Sequence, residues 1–187
     1  MAKDSAYLPI FELTRGDIPE SIHYGSIAVV DMHGKLIAFY GDPNLVTFLR
    51  STAKPFQALP FIEHGGDSTY NLLPPEIALI CASHSGMDEH VATAKSIQAK
   101  TGILETDLLC GVHPPIHEAT AEAMRKRGES PSPNRHNCSG KHTGMLAYAR
   151  WQGWSTTDYI DPAHPVQQAI IVLLSNICLE RANYAVF

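Results

Sequence analysis

Ser51 and Lys54 lie three residues apart in Phe48-Leu49-Arg50-Ser51-Thr52-Ala53-Lys54-Pro55-Phe56-Gln57, a spacing at which a hydroxyl and an amine could together open an amide or ester. A serine hydroxyl is a weak nucleophile until a base takes its proton, and a desolvated, uncharged lysine can be that base. An apolar strand-like run, Leu45 to Leu49, leads to Arg50, and a helix-like run begins almost at once. Unpaired backbone N–H groups at such a helix start favour negative charge, that of an oxyanion included. The ordinary use of the same spacing is a capping Ser or Thr followed by a solvated lysine. What favours chemistry is the position between strand and helix.

Two further polar clusters stand in the chain. Ser83-His84-Ser85-Gly86 follows the short apolar run Ala78 to Ala82 and precedes a helix. Ser83 there could hold a substrate carboxylate or amide, or relay a proton; the alternative is a tight turn that caps the helix. In Asn137-Cys138-Ser139-Gly140-Lys141-His142 the thiolate of Cys138 is favoured by a following helix N-terminus and by Lys141. Cys138 and His142, four apart, could share a helical face as zinc ligands do. A reactive cysteine, a metal ligand and a plain thiol beside a capping serine all stay open. Cys81, Cys110 and Cys178 sit in apolar settings and read as core thiols.

The elements that must position these groups follow from pattern. Ser26 to Val30 and Lys35 to Tyr40 read as strands joined by a turn at Asp31-Met32-His33-Gly34. A helix is predicted from about Thr52, because Pro55 is tolerated only in a first turn. Pro60 should kink it and Gly65-Gly66 should end it. Further helices are predicted over Asp88 to Lys100, Glu118 to Arg127, Met145 to Trp151 and Pro165 to Leu179, with a last strand starting at Ala185. Strands first and helices after is an α+β order, an antiparallel sheet with helices rather than alternating βαβ units.

With 187 residues, 44% of them apolar, the chain suits one domain with a proper core. Fourteen basic against nineteen acidic residues give −5, with no basic stripe, which argues against nucleic acid and anionic membranes as partners. The longest apolar run, Ala169 to Leu174, is too short to span a bilayer. Unpaired cysteine spacing and an N-terminus without an apolar leader segment predict a cytoplasmic protein with reduced thiols. A charged fraction of only 18% points to oligomerisation or to a missing partner segment, and a homodimer is the expected assembly.

Together, Arg50-Ser51-x-x-Lys54-Pro55-x-Gln57, Ala82-Ser83-His84-Ser85-Gly86, Cys110-Gly111-x-His113-Pro114-Pro115 and Asn137-Cys138-Ser139-Gly140-Lys141-His142 resemble, in this order, the rhizobial-type L-asparaginases, the asparaginase II family. The resemblance runs from about Ser21 onward and implies hydrolysis of L-asparagine to aspartate and ammonia. It also implies a fold similar to serine β-lactamases and penicillin-recognising enzymes. By family pattern Ser51 is the nucleophile, Lys54 its base and Ser83 a second active-site hydroxyl, while Cys138 and Lys141 match zinc ligands. Arg50 is expected to orient the substrate carboxylate by its charge, with Ser85 and His142 as further substrate contacts. Members of that family are longer, and a later Asp-Gly-Cys-Gly stretch supplies a third zinc-binding cysteine, followed by another catalytic lysine. The chain is therefore expected to be a truncated, N-terminal portion, residues 1–187, of a single asparaginase domain. Two rivals stay open beside this: an amidohydrolase with Cys138 as nucleophile, and an inactive domain that only binds zinc or dimerises.

Overall fold

β-Branched and aromatic residues bounded by tight turns fold the first part of the chain into two separate hairpins, as the computed structural model of the protein shows for the described residues, 6–178. Strands β1 (Leu8–Arg15) and β2 (Ile18–Gly25) pair antiparallel, as do β3 (Ile27–Val30) and β4 (Leu36–Tyr40). Gly16, at φ +63°, supplies the left-handed residue of the first turn. In the second, Asp31 Oδ1 accepts the backbone N–H groups of His33 and Lys35. Ser26 Oγ joins the two hairpins' ends, donating to Ala6 O and accepting from Asp42 N. Apolar strand residues including Phe11, Leu13, Val30 and Phe39 stay exposed.

The chain divides by its internal contacts into Met1–Phe48, which holds both hairpins, and Leu49–Phe187, which holds seven helices among the described residues. These are α1 (Lys54–Glu63), α2 (Gly66–Thr69), α3 (Pro74–Ile80), α4 (Asp88–Thr101), α5 (Glu118–Lys126), α6 (Ser139–Trp151) and α7 (Pro165–Cys178). The architecture is α+β with small antiparallel sheets. At the centre of the helical unit lies α6, buried without interruption from Ser139 to Ala149. Helices α1, α3, α4 and α7 pack on it. Phe61, Ile80, Ile97, Leu146, Tyr159 and Ile170 form the densest part of this core.

The sequence expectations hold for β3, β4 and their turn, and nearly to the residue for α4, α5 and α7. They need four corrections. Leu45 to Leu49 is not a strand: Val46 is 94% exposed and the segment pairs with no strand among the described residues. Hairpin β1–β2 went unread because polar residues interrupt its apolar ones. The run Ala78 to Ala82 begins as the last turn of helix α3, which starts at Pro74-Pro75 and ends at Ile80. Helix α6 starts at Ser139, six residues before Met145, because its first turns are packed by glycine rather than by apolar side chains. A Cβ on Gly140 would stand 2.3 Å from Leu79 O, and one on Gly144 would stand 3.0 Å from Ile80 Cβ. Helix α1 runs through Pro60 and ends at Glu63. The strand expected at Ala185, and the Cys178 side chain, fall outside the described residues.

One buried ion ties α3 to α4. Glu76, 3% exposed, accepts from Leu73 N, Ser96 Oγ and Lys100 Nζ at 2.6 Å each. Burial alone would raise its carboxyl, but the hydrogen bonds from Lys100, Ser96 and Leu73 hold it below the usual carboxylate range. Glu76→Ala would leave a buried hydroxyl and amide unpaired, at a cost of about 1–3 kcal/mol. The urea midpoint should fall accordingly, while Glu76→Gln, which keeps an acceptor, should fall less.

Candidate active site

Ser51 sits on a single 3-10 turn, Arg50–Ala53, that runs directly into α1. The residue before it, Arg50, holds φ at +53°, a left-handed conformation that costs a side-chain-bearing residue about 1–2 kcal/mol. The strain lies beside the candidate nucleophile, where such outliers tend to cluster. Thr52 N and Oγ1 both donate to Leu49 O, and Lys54 N donates to Ser51 O, which fixes the turn.

One helical turn on, Lys54 points inward and is 3% exposed. Its amine meets three groups from distant parts of the chain: Ser83 Oγ at 2.6 Å, Cys138 Sγ at 3.3 Å and Ala82 O at 3.4 Å. Ser83 Oγ in turn lies 3.2 Å from Ser51 Oγ. Ser51, Ser83 and Lys54 thus form a chain of contacts in which Ser83 stands between the other two. Both hydroxyls are exposed, so this amine is buried beneath a solvent-facing pair.

The Ser83 loop is latched to the start of α6. His84 N donates to Asn137 O. His84 Nε2 lies 2.8 Å from Ser139 Oγ, and Gly86 N donates to His84 Nδ1. Ser139 Oγ itself donates to Asn134 O, so it accepts from the imidazole and the ring carries its proton on Nε2. Burial, then the nearby His90 and Lys54, push His84 down to about 4. Arg135, paired with Asp88 at 2.6 Å, donates to Gly86 O. Gly86 needs its φ of +77° and its missing Cβ, which would stand 2.7 Å from Arg135 O. His84, Asn134 and Arg135 were not assigned roles from sequence. The burial of a histidine inside Ser-His-Ser-Gly is visible only once α6 is in place.

The other expected residues fall as follows. Arg50 is exposed at the turn. Ser85 is half-buried in the latched loop, and its carbonyl accepts from His117 N. His142 is 4% exposed and lies in the core with Nδ1 2.6 Å from Tyr159 Oη. That oxygen also accepts from Leu109 N, and burial pushes the imidazole down to about 3. Lys141, 8% exposed, is lowered by burial and by Lys54, against the opposing pull of Cys138. Cys138 is half-buried.

With the site laid out, comparison with known families decides its context. Residues 11–186 match the family model of L-asparaginase II. The chain belongs to the L-asparaginase II family. A search of curated proteins gives no match. Of the four stretches that carry the resemblance, three converge on Lys54, since Ser51, Ser83 and Cys138 come from three of them. Zinc, implied by the family resemblance, can be tested against the donors present. Cys138 is a thiol and Lys141 a buried amine lowered by its surroundings, so both have suitable chemistry, but two donors make half of a tetrahedral set. No group of three or more His, Cys, Asp or Glu that could hold a metal exists among the described residues. No helix among the described residues is long and apolar enough to cross a membrane.

Proposed function

We propose that the protein hydrolyses the side-chain amide of L-asparagine to aspartate and ammonia, with Ser51 as nucleophile. The observation that carries this is the contact chain from the Lys54 amine through Ser83 Oγ to Ser51 Oγ, at 2.6 and 3.2 Å, in a member of the L-asparaginase II family. Ser51 Oγ attacks the side-chain carbonyl carbon while its proton passes to Ser83 Oγ and the Ser83 proton to Lys54 Nζ. Hydroxyl protons rotate freely, so the relay needs no heavy atom to move far. The amine returns a proton to the leaving ammonia, and water then opens the acyl-serine ester. Ser51 N–H, in the first turn of its helix, is an amide that a helix start leaves without an intrahelical partner, and it would donate to the oxyanion. Arg50 would meet the substrate carboxylate.

The same reading takes the fold as serine β-lactamase-like and the protein as a cytoplasmic homodimer. It also takes Cys138 and Lys141 as two zinc ligands whose set is completed by residues outside those described. A zinc ion held there would add positive charge beside Lys54; no step above depends on it. One observation favours a second reading, in which Cys138 is the nucleophile: its Sγ shares the same amine.

An alkylating reagent cannot separate the two, because a group attached to Cys138 would crowd Lys54 either way. Acid quenching during turnover of L-asparagine, followed by peptide mapping, can separate them. An acyl group on the Ser51 peptide is expected. A thioester on the Cys138 peptide would transfer the role, and no ammonia release from asparagine at all would leave only the non-catalytic rival.

A further inference from the structure

We infer that Lys54 and Cys138 form an oxidation-dependent covalent cross-link, a sulfenamide between Nζ and Sγ. The two atoms stand 3.3 Å apart although 84 positions separate them in sequence. The amine is held there from three sides, by Ser83 Oγ, Ala82 O and the sulfur, and is 3% exposed. Cys138 is half-buried, and its neighbours across the amine, Ser51 and Ser83, are exposed. The residue is thus not sealed from solvent, and the nitrogen in contact with its sulfur is the Lys54 amine.

The chemistry balances with hydrogen peroxide as oxidant. The Cys138 sulfur attacks one peroxide oxygen, the O–O bond breaks, and sulfenic acid and water form. Sulfur is oxidised by two electrons and peroxide is reduced. A sulfenic acid is electrophilic at sulfur and condenses with a thiol or with a backbone nitrogen where one is near. Here the nitrogen in contact is the lysine amine. In its uncharged form it attacks sulfur, the N–S bond forms, the S–O bond breaks, and hydroxide leaves as a second water with a proton from nitrogen. Two equivalents of a thiol reverse the process, restoring Cys138 and Lys54 and leaving a disulfide of the thiol. The effect on turnover rests on the assignment of Lys54 as base; the bond does not.

The test treats the protein, washed with a chelator so that no metal masks the thiol, with excess hydrogen peroxide and maps its peptides without reductant. The expected product joins the Lys54-bearing and Cys138-bearing peptides, lighter than their sum by two hydrogen atoms, and separates on addition of dithiothreitol. Cys138→Ser should give none of it. Lys54→Met should leave a sulfenic acid that a dimedone-type probe captures on Cys138. Circular dichroism of both variants checks that they fold. Oxidised protein in which Cys138 is a sulfenic or sulfinic acid, or a disulfide with Cys81 or Cys110, and Lys54 is unlinked would overturn the inference. Ammonia release that falls with cross-linking and returns with thiol supports both the bond and the base. Undiminished release from fully cross-linked protein keeps the bond and removes Lys54 from the mechanism.

Discussion

Ser51→Ala is expected to lower ammonia release from L-asparagine by about 10⁴–10⁶-fold, the range in which loss of a covalent nucleophile falls. Lys54→Met should cost about 10²–10⁴-fold, as the loss of a general base does. The two need not add. In a relay that acts as a unit the double variant should be no slower than Ser51→Ala alone. Exposure of Ser51 makes the first variant a clean probe, since alanine there removes no core contact. Methionine at 54 keeps the unbranched stem that fills the buried channel and discards only the amine and its three partners. Ser83→Ala is the informative intermediate, because it removes the hydroxyl that stands between base and nucleophile. A Ser83→Ala variant as fast as the parent would mean that Lys54 reaches Ser51 without help, and the relay would be wrong. A Ser51→Ala variant at full speed would end the serine mechanism outright.

How far this was legible in the sequence depended on what each residue's pattern could encode. The Ser51–Lys54 spacing is about one helical turn, so it showed that the hydroxyl at the junction and the amine in the first turn of α1 could lie close together. It could not show that Ser83 would lie between them, because that placement depends on α3, α4 and α6 closing around one amine. The Cys138 cluster was visible as a polar, glycine-flanked stretch, yet the same glycines hid the first two turns of α6. Gly140 and Gly144 contribute to packing through absent side chains, which no periodicity of apolar residues can report. Leu45 to Leu49 failed for the opposite reason: β-propensity was present, but among the described residues no partner strand was. His84 and His142 lie in stretches already singled out. Their burial could not be read there, since histidine is as common on surfaces as in cores.

Those two histidines set the expected response to acid. Both are buried and hydrogen-bonded as neutral rings, His84 between Ser139 and Gly86, His142 on Tyr159. Protonation of either would place a charge beside other cationic groups, Lys54 and Lys141 among them, with no carboxylate in contact. Folded-state values of about 4 for His84 and about 3 for His142 stand against an ordinary value of 6.5. As pH falls below about 6.5 the unfolded chain takes up both protons and the folded chain takes neither, so stability falls. Above about 6.5 neither state is protonated and the contribution is flat. Each ring should cost about 1.4 kcal/mol per pH unit across this window, down to about pH 4 where His84 itself begins to protonate. By about pH 4 the two rings together remove roughly 6 kcal/mol, a large part of the roughly 5–15 kcal/mol by which domains are usually stable. Glu76 acts with the same sign but in a more acidic window, because its lowered carboxyl keeps its stabilising charge until pH passes below the usual carboxylate range. Urea midpoints measured from neutral pH downward should therefore decline steeply before any carboxylate in the core titrates. His84→Asn should make the slope shallower, although its midpoint at neutral pH will already be lower; His136, lowered chiefly by burial, adds to it with the same sign. A midpoint that stays level from about pH 6.5 to about pH 5 would mean that these rings accept protons in the folded state, and the latch between Ser83 and α6 would have to be drawn differently.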